Sequence, residues 1–482
     1  MTNITDITID YTVSTGKIRI ITENNDIFTQ IRNYFSEKVK NAHFARRANK
    51  FAAQRKYIIT PSGVCELGIY WELRKFLIEQ QLLVNIIISD RLKRVLECNL
   101  NTDAIFYDTF AFKLRDYQQD VVQQALKTGR GLCILGTGAG KTFITAALIE
   151  NYYKNHSDVF KCLVIVPDLG LVSQTYDEFI KCGITFNLTK WTGSCIPDMA
   201  AHVIICNMGI LQSQFEKNEW TKYVDLLIVD ECHKVKSDNK ISKIVSKIKT
   251  IHKYGFTGTL PEDQIDKWSI SGKFGPTIYE KTSFDLRTED FLVNVVVKTI
   301  DITYNSSPPN LTTNKYKNEL TFLHTNTFRN NFILSLCQKL TNNTLVLINF
   351  ISHGEVIYEL LSTLTNKKVF FIRGSVDVDQ REEIKQIMEN NNDVICVAIS
   401  AIFSTGVNIK NLHNIIFAAG GKSFVRTVQS IGRGLRKHDN KDKLVIFDIA
   451  DNLNYGENHS IKRQEIYKSE KIKNTIKYII QP

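Results

Sequence analysis

A glycine-rich turn in the first half of the chain has the composition of a phosphate-binding loop. The sequence LGTGAGKT (residues 135–142) lies between the apolar run GLCIL and a segment that predicts a helix beginning near Lys141. Glycines let the backbone curl so that its N–H groups face a phosphate, and the N-terminus of the helix favours an anion. Lys141 would contact the β- and γ-phosphates, and the Thr142 hydroxyl would contact Mg²⁺. The residues predicted to bind ATP here are Gly136, Thr137, Gly138, Ala139, Gly140, Lys141 and Thr142.

An acidic pair farther along the chain has the side chains that hydrolysis would need. Asp230 and Glu231 follow the apolar run LLIV at the end of a predicted buried strand. Asp230 suits the coordination sphere of Mg²⁺, and Glu231 could polarise the attacking water. Such a pair alone usually marks a polar loop, but the upstream phosphate loop favours the catalytic interpretation. Cys232 and His233 are too few for a zinc site, so His233 is either a coupling residue or a structural histidine.

Upstream of the phosphate loop, the segment RDYQ could form an adenine pocket. It contains Arg115, Tyr117 and Gln118 and lies about two dozen residues before the loop. The Tyr117 ring could stack on adenine, and the Gln118 amide can both donate and accept hydrogen bonds. Taken by itself, this segment would only predict the start of an amphipathic helix. The prediction of an adenine pocket therefore depends on its position before the phosphate loop.

Near the end of the chain, QSIGRGLR (residues 429–436) predicts a helix with Gln429, Arg433 and Arg436. The i, i+3 spacing places both guanidinium groups on one face. An arginine from another lobe can stabilise the charge that develops on the γ-phosphate. The alternative is a solvated basic face, but such a face would not ordinarily contain Gly432 and Gly434, which weaken a helix.

The composition describes a globular chain with a basic surplus. Its 482 residues, 43% hydrophobic and 23% charged, predict two to four domains. The net charge of 61 − 50 = +11 favours an anionic partner such as nucleic acid, although a basic surface can also serve solubility alone. Ten scattered cysteines without a CxxC pair argue against a metal cluster or a disulfide framework. With no secretory signal and no long apolar run, we expect a soluble intracellular protein.

Three regions differ in their pattern of apolar residues. Residues 1–103 mix alternating and helical segments and predict a small α+β domain. In residues 104–285, the runs GLCIL, CLVIV, HVIIC and DLLIV alternate with amphipathic helices. Residues 286–482 repeat this pattern with LVLINF, KVFFI, VICVAIS, NIIFAA and LVIFDI, and end in a predicted helical tail. The predicted fold class is α/β, with two tandem parallel-sheet lobes after a small α+β domain.

Eight short motifs in order resemble the motif series of superfamily 2 helicases. They are RDYQ, GTGAGKT, VPDLGLVSQ, WTGS, DECH, FTGT, FSTGVN and QSIGRGLR, and they extend over residues 104–450. Within this superfamily the chain resembles the UvsW-type recombination helicases of T-even-like phages, in segments such as ISHGEVIYELL, RGSVDVDQRE and FSTGVNIKNLHNIIFA.

The resemblance implies two RecA-like lobes that close on ATP and Mg²⁺. Residues Lys141, Thr142, Asp230 and Glu231 would lie on one side of the cleft, and Gly406, Gln429, Arg433 and Arg436 on the other. Coupling of hydrolysis to movement would involve His233, Thr257 and Thr259. Two positions depart from the usual pattern: FTGTL has Gly258 and Leu260 where many relatives have TATP, and Asn408 stands where an acidic residue is common. Both could alter coupling, and neither removes a catalytic group.

A basic segment in the first region could contact nucleic acid. Residues 38–56 contain seven basic residues and no acidic one, which fits either a phosphate-tracking surface or a solvated loop. The candidate contacts in this segment are Arg46, Arg47, Lys50, Arg55 and Lys56. By resemblance, this domain would grip duplex DNA near a junction, and Gln174, Thr192, Gly193 and Thr405 would contact the strand backbone. Such contacts to phosphates do not read sequence.

The sequence therefore favours an ATP-dependent DNA helicase that migrates branches and remodels intermediates of recombination, repair and replication. We expect a monomer that acts on branched or duplex DNA, or on RNA–DNA hybrids, in the cytoplasm (of the host, if it is phage-encoded). One alternative is a duplex translocase that drives a partner without separating strands. Another is an annealing or binding protein with a vestigial ATPase, which the complete set of catalytic residues disfavours. A metabolic P-loop kinase would not need the second lobe.

Overall fold

The computed structural model describes residues 4–38, 55–98, 110–156, 159–309, 312–373, 378–400, 409, 411–418, 441 and 443–481. The chain divides into two compact units. Unit 1 comprises Met1–Leu135 and Gly140–Lys281, and unit 2 comprises Gly136–Ala139 and Thr282–Pro482. Among the helices described, none has the length and apolar character needed to cross a membrane.

The N-terminal part of unit 1 has a four-stranded mixed sheet, ordered β5-β2-β1-β6, and a separate hairpin of β3 and β4. Strands β1 and β2 are antiparallel, while β1 and β6 are parallel. Three helices of the described residues accompany this sheet. The strands are β1 Thr5–Thr12, β2 Lys17–Ile21, β3 Ser36–Lys38, β4 Arg55–Tyr57, β5 Val64–Glu66 and β6 Val84–Ile88, and the helices are α1 Asn25–Tyr34, α2 Ile69–Glu79 and α3 Asp90–Leu96. The predicted small α+β domain is confirmed.

The rest of unit 1 is built on a seven-stranded parallel sheet, ordered β13-β7-β12-β11-β8-β10-β9. Its central strands are buried along their length, as expected for strands with helices on both faces. The strands are β7 Gly131–Leu135, β8 Cys162–Val166, β9 Leu188–Trp191, β10 Val203–Asn207, β11 Leu226–Asp230, β12 His252–Thr257 and β13 Thr277–Lys281. The helices are α4 Asp116–Thr128, α5 Lys141–Asn155, α6 Leu169–Cys182, α7 Met208–Gln214, α8 Lys240–Lys247 and α9 Gln264–Phe274, with short 3₁₀ turns at Phe215–Lys217, Glu219–Tyr223 and Cys232–Lys234.

One hydrophobic core joins the N-terminal sheet to the parallel sheet. Ile265 and Trp268 of α9 belong to the same buried cluster as Ile7, Phe35 and Leu73 of the N-terminal part. The Trp268 ring lies 5.3 Å from the Phe35 ring, and Gly68 N–H donates to Gly272 O at 2.7 Å. The N-terminal part and the parallel-sheet part therefore pack as one compact body.

Unit 2 contains a second seven-stranded parallel sheet, ordered β16-β17-β15-β18-β19-β14-β20. The predicted pair of parallel-sheet lobes is thus confirmed. The strands are β14 Asn294–Thr303, β15 Thr344–Ile348, β16 Val369–Ile372, β17 Ile395–Ile399, β18 Asn414–Phe417, β19 Lys443–Asp451 and β20 Lys473–Ile480. The helices are α10 Ser283–Thr288, α11 Lys315–Thr325, α12 Thr327–Lys339, α13 Ile351–Leu364, α14 Val378–Asn390 and α15 Asn454–Ser469.

The C-terminal tail differs from the expectation. The helix α15 is present, but the chain then forms β20, which pairs in parallel with β14 at the edge of the sheet. Two buried ion pairs fix this region: Arg329 binds Asp451 at 2.8 Å, and Arg463 binds Asp448 at 3.0 Å. Polar residues such as Asn474 and Lys477 interrupt the apolar pattern of β20, because an edge strand is exposed on much of its surface.

Candidate ATP-binding and hydrolysis site

The phosphate loop connects β7 to α5, as the sequence predicts. The helix begins at Lys141, and Thr142 is its second residue. Gly138 and Gly140 have φ values of +86° and +77°, which a side chain would make strained. Ala139 N–H donates to Gly136 O at 3.1 Å, and Phe143 N–H donates to Gly140 O at 3.0 Å. The loop therefore has the compact turn that lets backbone N–H groups surround a phosphate.

Gln118 lies against this loop. A methyl group at Gly140 would lie 2.4 Å from Gln118 Nε2, so only glycine fits there. The Gln118 side-chain oxygen accepts from Arg115 N–H at 3.0 Å and caps α4. The structure thus brings the predicted adenine-pocket residue beside the predicted phosphate loop, and its contact with adenine stays a prediction.

Tyr117, the aromatic residue of the predicted adenine pocket, is buried. Burial raises the pKa of its hydroxyl, and Arg115 Nη1 donates to that hydroxyl at 3.4 Å. Lys281 Nζ lies 5.1 Å from the centre of the Tyr117 ring. Sequence reasoning missed Lys281, because it ends the unpredicted strand β13 and pairs with Leu135 immediately before the loop.

Lys141 and Glu231 meet at the carboxyl edge of the sheet. Lys141 Nζ lies 3.7 Å from Glu231 Oε1 and 3.5 Å from Leu135 O. Their side chains are 15% and 26% exposed, so both can be reached by solvent or by a ligand. The Glu231 backbone has a φ of +49°, an uncommon conformation for a residue other than glycine and one found most often at functional sites. Asp230 Oδ1 accepts a hydrogen bond from Glu231 N–H at 2.9 Å, and this bond orients the Asp230 carboxylate.

A chain of contacts leads from Glu231 to β12, the strand between β7 and β11. His233 Nδ1 lies 3.1 Å from Glu231 Oε2 and 2.9 Å from Thr257 Oγ1. Thr257 Oγ1 in turn donates to Thr259 O at 2.9 Å. The three residues predicted for coupling therefore form one contact network beside Glu231, the candidate catalytic carboxylate, because β12 lies next to β11 in the sheet.

Cys232 is not available as a metal ligand. It is fully buried, and burial raises the pKa of its thiol, so the sulfur stays protonated. Within the described part of the chain, no group of three or more His, Cys, Asp or Glu side chains could hold a metal ion. The oxygen donors of Thr142 and Asp230 are of the type that Mg²⁺ prefers, which agrees with their predicted role.

The residues of unit 1 predicted to contact the nucleic-acid backbone follow β8 and β9, which lie on either side of β10 in the sheet. Gln174 lies on α6 and its amide donates to Glu178 at 2.8 Å. Thr192 and Gly193 follow β9 in a turn where Thr192 N–H donates to Cys195 O at 2.9 Å. In the part of the chain that the structure describes, nothing lies within 4 Å of the position that a Gly193 side chain would take.

The basic residues of β4 have partners within unit 1. Arg55 Nε donates to Ser36 Oγ at 3.0 Å. Lys56 Nζ donates to Ser237 Oγ at 2.7 Å and forms an ion pair with Asp238. Both side chains remain partly exposed, so contact with nucleic acid stays a prediction for them.

Several predicted site residues lie outside the residues that the structure describes. They are Arg46, Arg47, Lys50, Thr405, Gly406, Gln429, Arg433 and Arg436, together with Asn408, where the sequence departs from the usual motif. Their roles rest on the sequence.

Comparisons with known proteins agree with this geometry. The family "Type III restriction enzyme, res subunit" matches residues 111–262, and the family "Helicase conserved C-terminal domain" matches residues 328–438. The ATP-dependent DNA helicase uvsW of Enterobacteria phage T4 is 29% identical over 393 residues, which cover 75% of this chain and 76% of that protein. The DNA 3'-5' translocase XPB2 of Sulfurisphaera tokodaii is 24% identical over 414 residues, 78% of this chain and 88% of that protein.

A solved structure supports the fold alone. The ATP-dependent Type ISP restriction-modification enzyme LlaBIII, bound to DNA, matches with a TM-score of 0.58 at 16% identity. The match covers 84% of this chain and 34% of that enzyme. The two helicase families in order, the uvsW relative and the contacts among Lys141, Glu231 and His233 lead to one conclusion. The chain is similar to the UvsW-type helicases of superfamily 2, in its sequence and in the order of its two helicase domains.

Proposed function

We propose that this protein is an ATP-dependent DNA helicase that migrates branches and remodels branched DNA intermediates of recombination, repair and replication. The observation that carries this proposal is the network from Lys141 through Glu231 and His233 to Thr257. This network connects Lys141, which is predicted to bind phosphate, to Glu231, the candidate base. His233 then connects Glu231 to Thr257 on the neighbouring strand β12. The last two members would connect hydrolysis at Glu231 to β12.

In the proposed reaction, water attacks the γ-phosphorus of ATP and the β–γ bridging oxygen leaves. The Lys141 ammonium and the N–H groups of the loop would stabilise the phosphate charges. Glu231, whose carboxylate lies beside Lys141 and His233, would accept a hydrogen bond from the attacking water. Thr142 and Asp230 would hold Mg²⁺, which neutralises charge on the phosphate oxygens.

The remaining parts of the site are proposed from the sequence. Gln429, Arg433 and Arg436 would contact the γ-phosphate from unit 2, and Gly406 would approach the nucleotide. Arg433 and Arg436 would supply the positive charge that phosphoryl transfer requires. Contacts to DNA phosphates would come from Gln174, Thr192, Gly193 and Thr405, with the basic segment 38–56 adding affinity that falls as salt rises.

A second function is a duplex DNA translocase that does not separate strands. The observation that favours it is the likeness to a protein named a DNA 3'-5' translocase and to a family named for a restriction-enzyme subunit. In both cases the same ATP site would operate, so the DNA products decide between the two. We expect a monomer that works in the cytoplasm.

The site assignment is tested by ATP hydrolysis with and without DNA. Lys141→Ala and Glu231→Gln should each reduce the DNA-stimulated kcat by about 100-fold or more, because each removes a group that acts on the reacting phosphate. Lys222→Ala is the matched control, since Lys222 forms an exposed ion pair with Glu219 on the same unit. Normal turnover in either site variant, with circular dichroism showing an intact fold, would contradict the assignment.

A further inference from the structure

The hairpin β3–β4 touches the segment that follows the catalytic Asp230–Glu231 pair. Glu37 and Lys56 are directly opposite each other in this antiparallel hairpin. Lys56 Nζ contacts Ser237 Oγ at 2.7 Å and pairs with Asp238, while Glu37 Oε2 accepts from Ile265 N–H at 3.2 Å. Through this cross-strand pair, the hairpin therefore contacts the ATP-binding lobe at two places: the turn at residues 237–238 and Ile265 near the start of α9. We call Glu37, Lys56, Ser237, Asp238 and Asp266 the hairpin contact.

On the lobe side, the contact is anchored to helix α9. Asp266 Oδ1 accepts from both Ser237 N–H and Ser237 Oγ, each at 2.9 Å. Lys236 Nζ lies 3.8 Å from the other oxygen of Asp266. The turn at 236–238 is thus fixed between the hairpin and the start of α9, and Asp238 adopts a φ of +65° within it.

The same turn is joined to the catalytic pair by short hydrogen bonds. Asn239 Nδ2 donates to Lys234 O at 2.7 Å, and Lys234 N–H donates to Glu231 O at 3.0 Å. Val235 N–H donates to Cys232 O at 2.9 Å, and the Val235 side chain is buried. A displacement of the turn would therefore reach Glu231 and His233 through a compact segment of nine residues, 231–239, rather than through a loose loop.

We propose that the hairpin contact is a positioning device that couples nucleic acid held by the N-terminal part to the catalytic carboxylate. This inference rests on the proposed function, because it requires a DNA-stimulated ATPase. Lys56 then acts through Asp238 and Ser237 in addition to any contact with DNA. In this arrangement, bound DNA biases the position of the turn, and the turn biases the geometry of Glu231 and His233.

The contact contributes little to the stability of the fold. The side chains of Lys56 and Asp238 are 31% and 74% exposed, and exposed ion pairs are weak. The docking of the N-terminal part depends instead on the buried cluster around Trp268 and Phe35. Variants of the contact should therefore fold normally and bind ATP.

Asp238→Asn is the decisive variant. Asparagine tolerates the left-handed backbone of residue 238 and removes the negative charge. Because the change removes a carboxylate, it cannot weaken DNA binding by the loss of a phosphate contact. We expect unchanged ATP hydrolysis without DNA, an unchanged or lower Kd for DNA, and a DNA-stimulated kcat lowered about fivefold. Glu37→Ala should have the same effect, and Lys56→Arg should retain stimulation because it keeps the charge.

Asp90→Asn is the matched control, since Asp90 forms an exposed ion pair with Lys93 in the same N-terminal part. It should leave ATP hydrolysis without DNA, the Kd for DNA and the DNA-stimulated kcat unchanged. Full DNA stimulation in both Asp238→Asn and Glu37→Ala would overturn the coupling role and leave the proposed function intact. A wild-type chain that hydrolyses ATP at the same rate with and without DNA would instead overturn the proposed function and this inference together.

Discussion

At the scale of residues, Thr257 on β12 contacts His233, the histidine beside the candidate catalytic carboxylate of Glu231. Its side chain is fully buried, and its hydroxyl contacts His233 Nδ1 and donates to Thr259 O. The sequence places His233 and Thr257 in separate motifs, 24 residues apart. Only the order of the strands brings them into contact.

Thr257→Val removes this hydroxyl and keeps the shape of the side chain. We expect DNA stimulation of ATP hydrolysis to fall about tenfold, with the KM for ATP unchanged, because His233 loses the contact that fixes its ring. Steady-state kinetics with and without DNA measure both quantities. Thr221→Val is the control: Thr221 is equally buried and donates to a backbone oxygen, Asn218 O, away from the phosphate loop. If DNA stimulation of ATP hydrolysis falls equally in the two variants, the decrease is a general effect of placing a buried valine there and not of the contact with His233.

Residue types and local order were sufficient to predict the phosphate loop and the acidic pair. One short segment contains the loop glycines, Lys141 and Thr142. The strand–loop–helix pattern can therefore be recognised from that segment alone. The sequence offered no means of finding Lys281 above the Tyr117 ring or Lys56 against Asp238, because each of these contacts joins segments that are distant in the chain.

At the scale of elements, helix α9 is buried between the parallel sheet and the N-terminal part. Every residue from Trp268 to Phe274 is buried. Two glycines allow α2 and α9 to approach: a methyl group at Gly68 would lie 2.0 Å from Ser271 O, and one at Gly272 would lie 3.1 Å from Glu66 Cβ. The N-terminal part is held to the lobe by this close backbone contact as well as by the apolar core.

Gly68→Ala should therefore destabilise unit 1. We expect the free energy of unfolding, measured by urea denaturation, to fall by about 1–3 kcal/mol, because the added methyl group forces two backbones apart. Gly209→Ala on α7 is the control, since the nearest atom to its added methyl group is a side-chain nitrogen of Asn207 at 3.6 Å, an ordinary contact. A stability loss in Gly209→Ala as large as that in Gly68→Ala would contradict this explanation.

The strands of the unit 1 parallel sheet that the sequence did not predict have two physical causes. Strand β12 reads HKYGFT, and its buried His252 and Lys253 hide the apolar pattern. His252 Nδ1 contacts Gly129 O at 3.0 Å and Lys253 Nζ donates to Val245 O at 2.9 Å, so these polar groups are satisfied inside the protein. Strands β9 and β13 lie at the two edges of the sheet, where an apolar run is not required.

At the scale of the whole molecule, the basic surplus extends into the interior of unit 1. Lys253, Lys273 and Arg130 are buried near one carboxylate, Glu66. Burial lowers the pKa of Lys253 to about 7 and that of Lys273 to about 8. Charged lysines in these positions weaken the folded state, since the unfolded chain holds the same protons at a lower free-energy cost.

Stability should consequently depend on pH through Lys253. Between its folded pKa of about 7 and its ordinary value of 10.5, the unfolded chain binds more protons, so the free energy of unfolding rises with pH. From pH 6 to pH 8, we expect the stability of the wild type relative to Lys253→Met to increase by about 1 kcal/mol. Urea denaturation of both proteins at the two pH values measures this difference, in which the titrating groups that do not interact with Lys253 cancel. A constant difference would mean that Lys253 does not titrate in this range.

The central claim, that ATP hydrolysis by this chain remodels branched DNA, is tested most directly by strand-product analysis on a mobile four-way junction. The wild type with ATP should convert the junction into two duplexes, and Lys141→Ala should leave it intact. Hydrolysis stimulated by plain duplex with an unchanged junction would contradict the claim and identify a translocase instead.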